Sequence, residues 1–281
     1  MRLEVKQPSA LEKMRDRLIA EDPGLANLSP TPRRDPSIFS HWKMALGTTA
    51  TLRFLPDGNE DNAFFWVVRD MIRLPFNGFK GKPELKQVVV QVPCMEMYNE
   101  ECPVLREVRS WMKDSAQEEM ARRYWKKRSY LYQGFVRELS LDESDKPINP
   151  IRQFIIGPEI HNLVRNMLLH ADLLESPCDY ECGINFTIKK TEKIGYATYD
   201  QSYWSLKESA ISDDDHEAIR KYGLLDLSTR FPTKPIDDAF EIISEMFEAS
   251  VDGQMFDPDR WSKYFAPFGI ANYPLSLFQG I

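Results

Sequence analysis

Residues 121–138 combine a cluster of positive charge with a strand pattern, and no other stretch constrains the fold as much. Between Arg122 and Arg137 there are six cations and no acidic residue; they are Arg122, Arg123, Lys126, Lys127, Arg128 and Arg137. Tyr130 to Val136 is rich in aromatic and β-branched residues, which predicts a strand. Tyr130 and Tyr132 therefore share one face, and Gly134 indicates a bend or a close backbone approach.

Cations beside paired rings suit a chain of phosphates with unpaired bases, because the cations balance charge and the rings stack on bases. The alternative is a solvated charge run that leads into an ordinary core strand, with one ring inward and one on the surface. This stretch alone fits both interpretations, since basic runs are common.

The net charge of −7 argues against a nucleic-acid partner until its distribution is considered. From Glu208 onward the chain has 14 acidic and six basic residues, which leaves 30 basic and 29 acidic residues in the first 207. The acidity therefore belongs to the C-terminal part. Its cluster Asp213 to Asp215 has two interpretations: it caps a helix, or it competes with a polyanion for the basic stretch.

Short strands separated by turns predict an α+β protein with a mainly β core, as a small barrel or sandwich. The predicted strands are Thr49 to Pro56, Ala63 to Arg73, Val88 to Val92, Tyr130 to Val136, Ile151 to Ile156 and Gly183 to Lys190. The second of these is expected to be the antiparallel partner of the first. Helices are predicted over Ser9 to Glu21, Cys102 to Met120, Ile160 to Leu174, from Asp213, and over Asp237 to Ala249.

Four cysteines are too few for a disulfide framework in 281 residues. The first 18 residues carry charges throughout and lack the apolar core of a signal peptide. No apolar run approaches the ~20 residues that span a bilayer. These features predict a reduced, soluble protein of the cytoplasm.

Several local motifs occur in an order that resembles the helix-destabilising single-stranded-DNA-binding proteins of T-even bacteriophages. The motifs are Leu52-Arg53-Phe54-Leu55-Pro56, Cys102-Pro103-Val104, Lys126-Lys127-Arg128-Ser129-Tyr130, Gly157 before an amphipathic helix, Gly195-Tyr196 with Tyr199-Asp200 and Ser202, and Leu227-Ser228. The resemblance extends from about Ser9 to about Ser250. The last thirty or so residues do not share it.

This resemblance implies an OB-fold barrel with helical excursions and C-terminal helices over residues 37–250. Residues 1–36 would be a helical arm that serves self-association through Arg2 and Lys6. Residues 251–281 would be an aromatic tail, either folded back on the body or free to dock partners. Together with the basic stretch, the resemblance gives a DNA-binding set: Arg53, Arg122, Arg123, Lys126, Lys127, Arg128, Tyr130, Tyr132, Phe154, Tyr196 and Tyr199.

Members of this family that bind zinc use one histidine and three cysteines. Here Cys94 and Cys102 are present, Leu105 replaces the third cysteine, and no histidine lies between His41 and His161. Because structural zinc takes four ligands, we expect no cofactor. A rearranged site with Cys178 and Cys182 is the remaining alternative.

The resemblance implies a non-enzymatic protein that coats unpaired DNA cooperatively and with little sequence preference. Its setting would be phage replication, recombination and repair, with replication and recombination proteins as partners of the acidic and aromatic C-terminal region. One alternative is an RNA-binding regulator on the same fold. A second is a metal-dependent nuclease that uses Asp213, Asp214, Asp215 and His216.

Overall fold

The computed structural model describes residues 36–139, 143, 147–230, 234 and 237–267. The strands are β1 Thr49–Leu55, β2 Trp66–Phe76, β3 Val88–Pro93, β4 Lys127–Leu139, β5 Arg152–Ile156, β6 Ile184–Lys189, β7 Thr191–Lys193, β8 Tyr196–Thr198 and β9 Tyr203–Glu208. The α-helices are α1 Pro103–Trp111, α2 Glu118–Tyr124, α3 Pro158–Leu168, α4 Asp213–Tyr222, α5 Asp237–Val251 and α6 Pro258–Trp261. The predicted arm with Arg2 and Lys6 lies outside the described residues.

Seven strands form one antiparallel sheet in the order β3-β2-β4-β1-β6-β9, with β5 paired to β4. The short strands β7 and β8 form a separate hairpin. With its helices, this architecture confirms a mixed fold built on a large antiparallel sheet. In the part of the chain that the structure describes, the strands do not close into a barrel.

The predicted pairing of β1 with β2 is wrong, because β1 pairs with β4 and β6 whereas β2 pairs with β3 and β4. The reason lies in the segment between the two strands, which is a structured loop and not a tight hairpin turn. The Asp57 carboxylate accepts hydrogen bonds from Asn59 N, Asn62 Nδ2 and the distant Leu227 N. This carboxylate fixes the loop to another part of the fold, so β2 does not fold back on β1.

Gly134 marks the point where β1 and β4 cross closely. An added Cβ would lie 2.1 Å from the carbonyl oxygen of Arg53, which is a backbone atom and cannot move away freely. This confirms the close backbone approach predicted at this glycine.

Two large apolar clusters flank the sheet, besides a small third one around Leu55 and Phe135. One lies against β2 and β3 under α1, α2 and α5, and the other packs β1, β5 and β6 against α3. Phe256, Trp261 and Phe265 join the first cluster, and Trp261 Nε1 donates to Glu245 at 2.7 Å. The predicted tail is therefore folded back on the body as far as residue 267.

The helix predicted over Cys102 to Met120 is two helices in the structure, α1 and α2. The Asp114 side chain accepts a hydrogen bond from Ala116 N at 3.0 Å, and this local turn competes with helical hydrogen bonding. No helix in the described part of the chain is long and apolar enough to cross a membrane.

We expect Gly134→Ala to destabilise the protein by about 3 kcal/mol or more, because the new methyl group overlaps a backbone oxygen in a central strand. Urea unfolding followed by tryptophan fluorescence measures this change. Gly157→Ala is the matched control, since a Cβ there meets nothing within 4 Å. Equal stability losses in the two variants would contradict the explanation.

Candidate nucleic-acid interface

Three cross-strand pairs of β2 and β4 lie in a row on one face of the sheet. Because alternate residues of a strand share a face, the row runs from aromatic to apolar to charged. The pairs are Trp66 with Tyr132, Val68 with Tyr130, and Asp70 with Arg128. We call this row the β2–β4 face. It confirms that Tyr130 and Tyr132 share a side of the strand, next to the cations.

Helix α3 covers part of the β2–β4 face with His161. The imidazole stacks on Tyr130 with 3.4 Å between ring centroids and an interplanar angle of 7°. Burial, helped by the nearby charges of Arg165 and Arg128, lowers the pKa of His161 to about 4. The ring is therefore neutral at pH 7, and its Nδ1 shares a hydrogen bond of 2.6 Å with Tyr132 Oη. Tyr132 and His161 together hold the Tyr130 ring in place.

A groove of about 710 Å³ opens beside this stack. Phe64 and Val68 line it with 56% and 39% of their surfaces exposed. The Phe64 ring packs against the Trp66 ring, with 4.7 Å between the centroids. Arg165 also lines the groove, and no carboxylate among the described residues pairs with its guanidinium. Exposed apolar side chains gathered in one groove indicate a binding surface.

The charged end of the β2–β4 face is largely neutralised by Asp70. Its carboxylate binds Arg128 through two hydrogen bonds of 2.9 Å and Lys126 at 3.0 Å. Lys126 also contacts Glu96 at 2.9 Å. Burial by itself would raise the pKa of Asp70, but the hydrogen bonds from Arg128 and Lys126 outweigh it, and the pKa is lowered. The acid is therefore ionised at neutral pH and cancels much of the neighbouring positive charge.

Two further cations of the basic stretch are also paired. Arg122 binds Glu118 one turn away on α2, and Arg137 binds Asp215 at 2.8 Å. Arg123 and Lys127 have no carboxylate partner within the described ranges. The charge that is free to meet a phosphate is thus much smaller than the sequence count of six.

Three residues of the predicted DNA-binding set are buried and do not reach the surface. The Arg53 guanidinium donates to the carbonyls of Asp179 and Ser209, each at 2.7 Å. Tyr132 and Phe154 pack around Phe54, with ring centroids 4.9 and 5.9 Å away. The alternation of β1 predicts that Arg53 faces away from the apolar core, but the loop that covers it comes from a distant part of the chain.

Tyr196 and Tyr199 lie at the β7–β8 hairpin and differ in exposure. Tyr196 is 78% exposed, whereas Tyr199 is half-buried against His41, with 5.3 Å between ring centroids. Thr198 of the hairpin hydrogen-bonds Glu159 in the first turn of α3. The hairpin therefore contacts the helix that carries His161.

Cys94 and Cys102 lie together in the first apolar cluster, and a hydrogen bond between their thiols raises the pKa of Cys94. The structure finds no group of three or more His, Cys, Asp or Glu side chains placed to hold a metal in the ranges it covers. The absence of a cofactor stays a prediction.

The acidic cluster at Asp213 begins α4. Ser212 and Asp215 form a reciprocal cap, and Asp215 also binds Arg137. The structure thus supports the helix-capping interpretation. The Asp215 carboxylate is bound to Ser212 and Arg137, and among the described residues it does not form a metal-binding group with Asp213 and Asp214.

Phe64, His161 and Arg165 line the site but were not predicted as site residues from the sequence. The alternation of Phe64, Trp66 and Val68 signals one apolar face of β2, and the spacing of His161 and Arg165 places both on one side of α3. What the sequence does not show is that these two faces meet.

Exposed rings and apolar groups with a few cations are typical of surfaces that bind single-stranded nucleic acids. No protein-family model matches the sequence. Among curated proteins, the chain is similar to the single-stranded DNA-binding protein of Enterobacteria phage T2, with 26% identity over 226 residues that cover 73% of this chain and 68% of the relative. This similarity confirms the predicted relation to phage single-stranded-DNA-binding proteins.

A pH effect on stability follows from the low pKa of His161. Its usual value is 6.5. Between pH 6.5 and about 4, the His161 imidazole is therefore protonated in the unfolded chain and neutral in the folded protein. Stability is therefore lost as the pH falls through this window. His41, whose pKa is also about 4 because of burial, adds to the same loss.

We expect His161→Phe to reduce the loss of unfolding free energy between pH 7 and 4.5 by on the order of 1–2 kcal/mol. The part of the loss that is due to His41 should remain. Urea unfolding at a series of pH values measures it. His170→Gln, at an exposed position, is the control and should keep the wild-type slope. An unchanged slope in His161→Phe would contradict the assignment.

Proposed function

We propose that this protein binds single-stranded DNA along the β2–β4 face, with little sequence preference. The observation that carries the proposal is the groove in which Phe64 and Val68 are exposed beside the fixed ring of Tyr130, with Arg165 at its wall. The similarity to a phage single-stranded DNA-binding protein supports the same function.

Stacking would supply most of the affinity. Each base stacked on an aromatic ring contributes ~1–3 kcal/mol, and every base offers such a surface, so the binding tolerates any sequence. Bases in a duplex are already stacked on each other and cannot reach Phe64 or Tyr130. The protein would therefore favour unpaired strands and shift hairpins toward the open form by mass action.

Phosphates would be met by nearby cations that have no carboxylate partner in the described residues, namely Arg123, Lys127 and Arg165. Three neutralised phosphates correspond to a slope of about −2 in a plot of log affinity against log salt. Arg122, Lys126 and Arg128 would contribute less, since each already binds a carboxylate.

The wider role we propose is coating and protection of DNA during phage replication, recombination and repair in the cytoplasm of the host. The sheet would be an open variant of the OB-fold, which suits a strand-binding surface. Self-association through Arg2 and Lys6 would make binding cooperative, and the acidic and aromatic C-terminal region would contact replication and recombination proteins.

Phe64→Ala tests the stacking contribution. We expect about tenfold weaker binding to an oligothymidine, with the salt slope unchanged, because a ring is lost and no charge is. Fluorescence titration measures both quantities. Leu206→Ala removes a fully exposed apolar side chain on β9, outside the groove, and should bind like the wild type.

If Phe64→Ala also binds like the wild type, the groove is not the stacking surface. If the wild-type protein binds no oligothymidine, the proposed function is wrong. Competition by an oligouridine of equal length decides between DNA and RNA, because the same rings accept both.

Arg165→Ala tests the electrostatic contribution. We expect the salt slope on oligothymidine to become shallower by about 0.7, the amount for one phosphate on a single strand. The same titration over a series of salt concentrations measures it. Arg220→Ala, which removes an exposed cation on α4, is the control; a slope change of the same size in both variants would refute a specific role for Arg165.

A further inference from the structure

Asp70 is an acidic residue inside the surface that is proposed to receive a polyanion. It is 5% exposed, and its carboxylate makes three short contacts, all to cations of the basic stretch: two to Arg128 and one to Lys126. Its position on β2 is the next pair along from Val68 and Tyr130. The acid thus lies directly beside the proposed stacking site.

The two cations held by Asp70 are not buried with it. The Arg128 side chain is 47% exposed and the Lys126 side chain 19% exposed. Arg128 uses Nε and one Nη for Asp70, and its guanidinium also interacts with the Tyr130 hydroxyl. Both cations can therefore face a phosphate, but with Asp70 and Glu96 close by their combined charge is nearly cancelled.

We propose that Asp70 is a specificity-determining residue, which limits the electrostatic attraction of the β2–β4 face so that binding depends on unpaired bases. This inference rests on the proposed function and extends it to the choice between single and double strands.

The physical reason is that cations on a protein surface do not bind single-stranded DNA in preference to duplex DNA. Each neutralised phosphate contributes a salt slope of about −0.9 on a duplex and about −0.7 on a single strand, because the duplex is the denser polyanion. Additional free charge therefore strengthens duplex binding more. Stacking on Phe64 and Tyr130 acts only on unpaired bases, so a nearly neutral face preserves the preference for them.

A purely structural role for Asp70 predicts the opposite result. If the carboxylate served only to orient Arg128 for DNA, its loss would weaken binding to every nucleic acid. The direction of the change in affinity therefore separates the two explanations.

The test compares Asp70→Asn with the wild-type protein on an oligothymidine and on a blunt duplex, by fluorescence anisotropy across a salt series. We expect about tenfold tighter duplex binding at 50 mM salt, a duplex slope steeper by about 0.9, and an oligothymidine slope steeper by about 0.7. The preference for the single strand should fall about twofold. Weaker or unchanged duplex binding, or an unchanged preference, would overturn the inference.

Two further variants complete the design. Asp252→Asn is the control, because it makes the same change in net charge far from the stacking site. Asp252 lies beyond the opposite end of β2, where Asn77 contacts Gly253. This variant should leave the affinities for the oligothymidine and the duplex unchanged. Glu96→Gln frees Lys126 and Arg109 from the far side of the same network and should shift duplex binding in the same direction as Asp70→Asn. It provides the answer if Asp70→Asn does not fold, which circular dichroism detects.

The failure of the inference is distinct from the failure of the proposed function. A wild-type protein that binds no single strand overturns the function itself. A wild-type protein that binds single strands, with Asp70→Asn showing no gain on the duplex, overturns only the role of Asp70.

Discussion

Strand β4 is hydrogen-bonded along both of its edges, and the other elements take their positions from it. Its first half pairs with β2 and its second half with β1 on one edge, while β5 pairs across the junction on the other edge. Gly134 lies at this junction, where the Arg53 carbonyl leaves no space for a side chain. The antiparallel pairing of β2 with the first half of β4 places Trp66 beside Tyr132 and Asp70 beside the basic start of β4, and so creates the β2–β4 face.

The electrostatics of that face depend on contacts between distant residues. Asp70 is 58 residues from Arg128 along the chain, and Glu96 is 30 residues from Lys126. Partly buried ion pairs of this kind hold side chains in a fixed arrangement and reduce the net field that a ligand meets. In the proposed function, stacking rings therefore supply most of the affinity, and a small number of unpaired cations supply the salt dependence.

The C-terminal residues contribute to stability as well as to any contact with partners. Phe256 and Trp261 pack on Phe76 at the far end of β2, with ring centroids 5.6 and 5.3 Å away. Burial of rings this large stabilises a fold by several kcal/mol. The end of β2 that is remote from the groove is thereby fixed.

The sequence by itself determined the local features. Alternation located most strands to within two or three residues, placed Tyr130 and Tyr132 on one side of β4, and marked Gly134 as a close contact; Ser212 and Asp215 form the cap that their positions favour. These features depend on neighbours along the chain, whose geometry is fixed by the backbone.

Only the tertiary structure decided which of the candidate residues are available to a ligand. Arg53 is covered by the loop that contains Asp179, Tyr132 is covered by α3, and four of the six cations are paired with carboxylates in the described part of the chain. Burial and ion pairing depend on which distant segments meet, and a strand pattern or a charge count carries no information about that. For the same reason, His161 and Arg165 became part of the site only when α3 packed against β4.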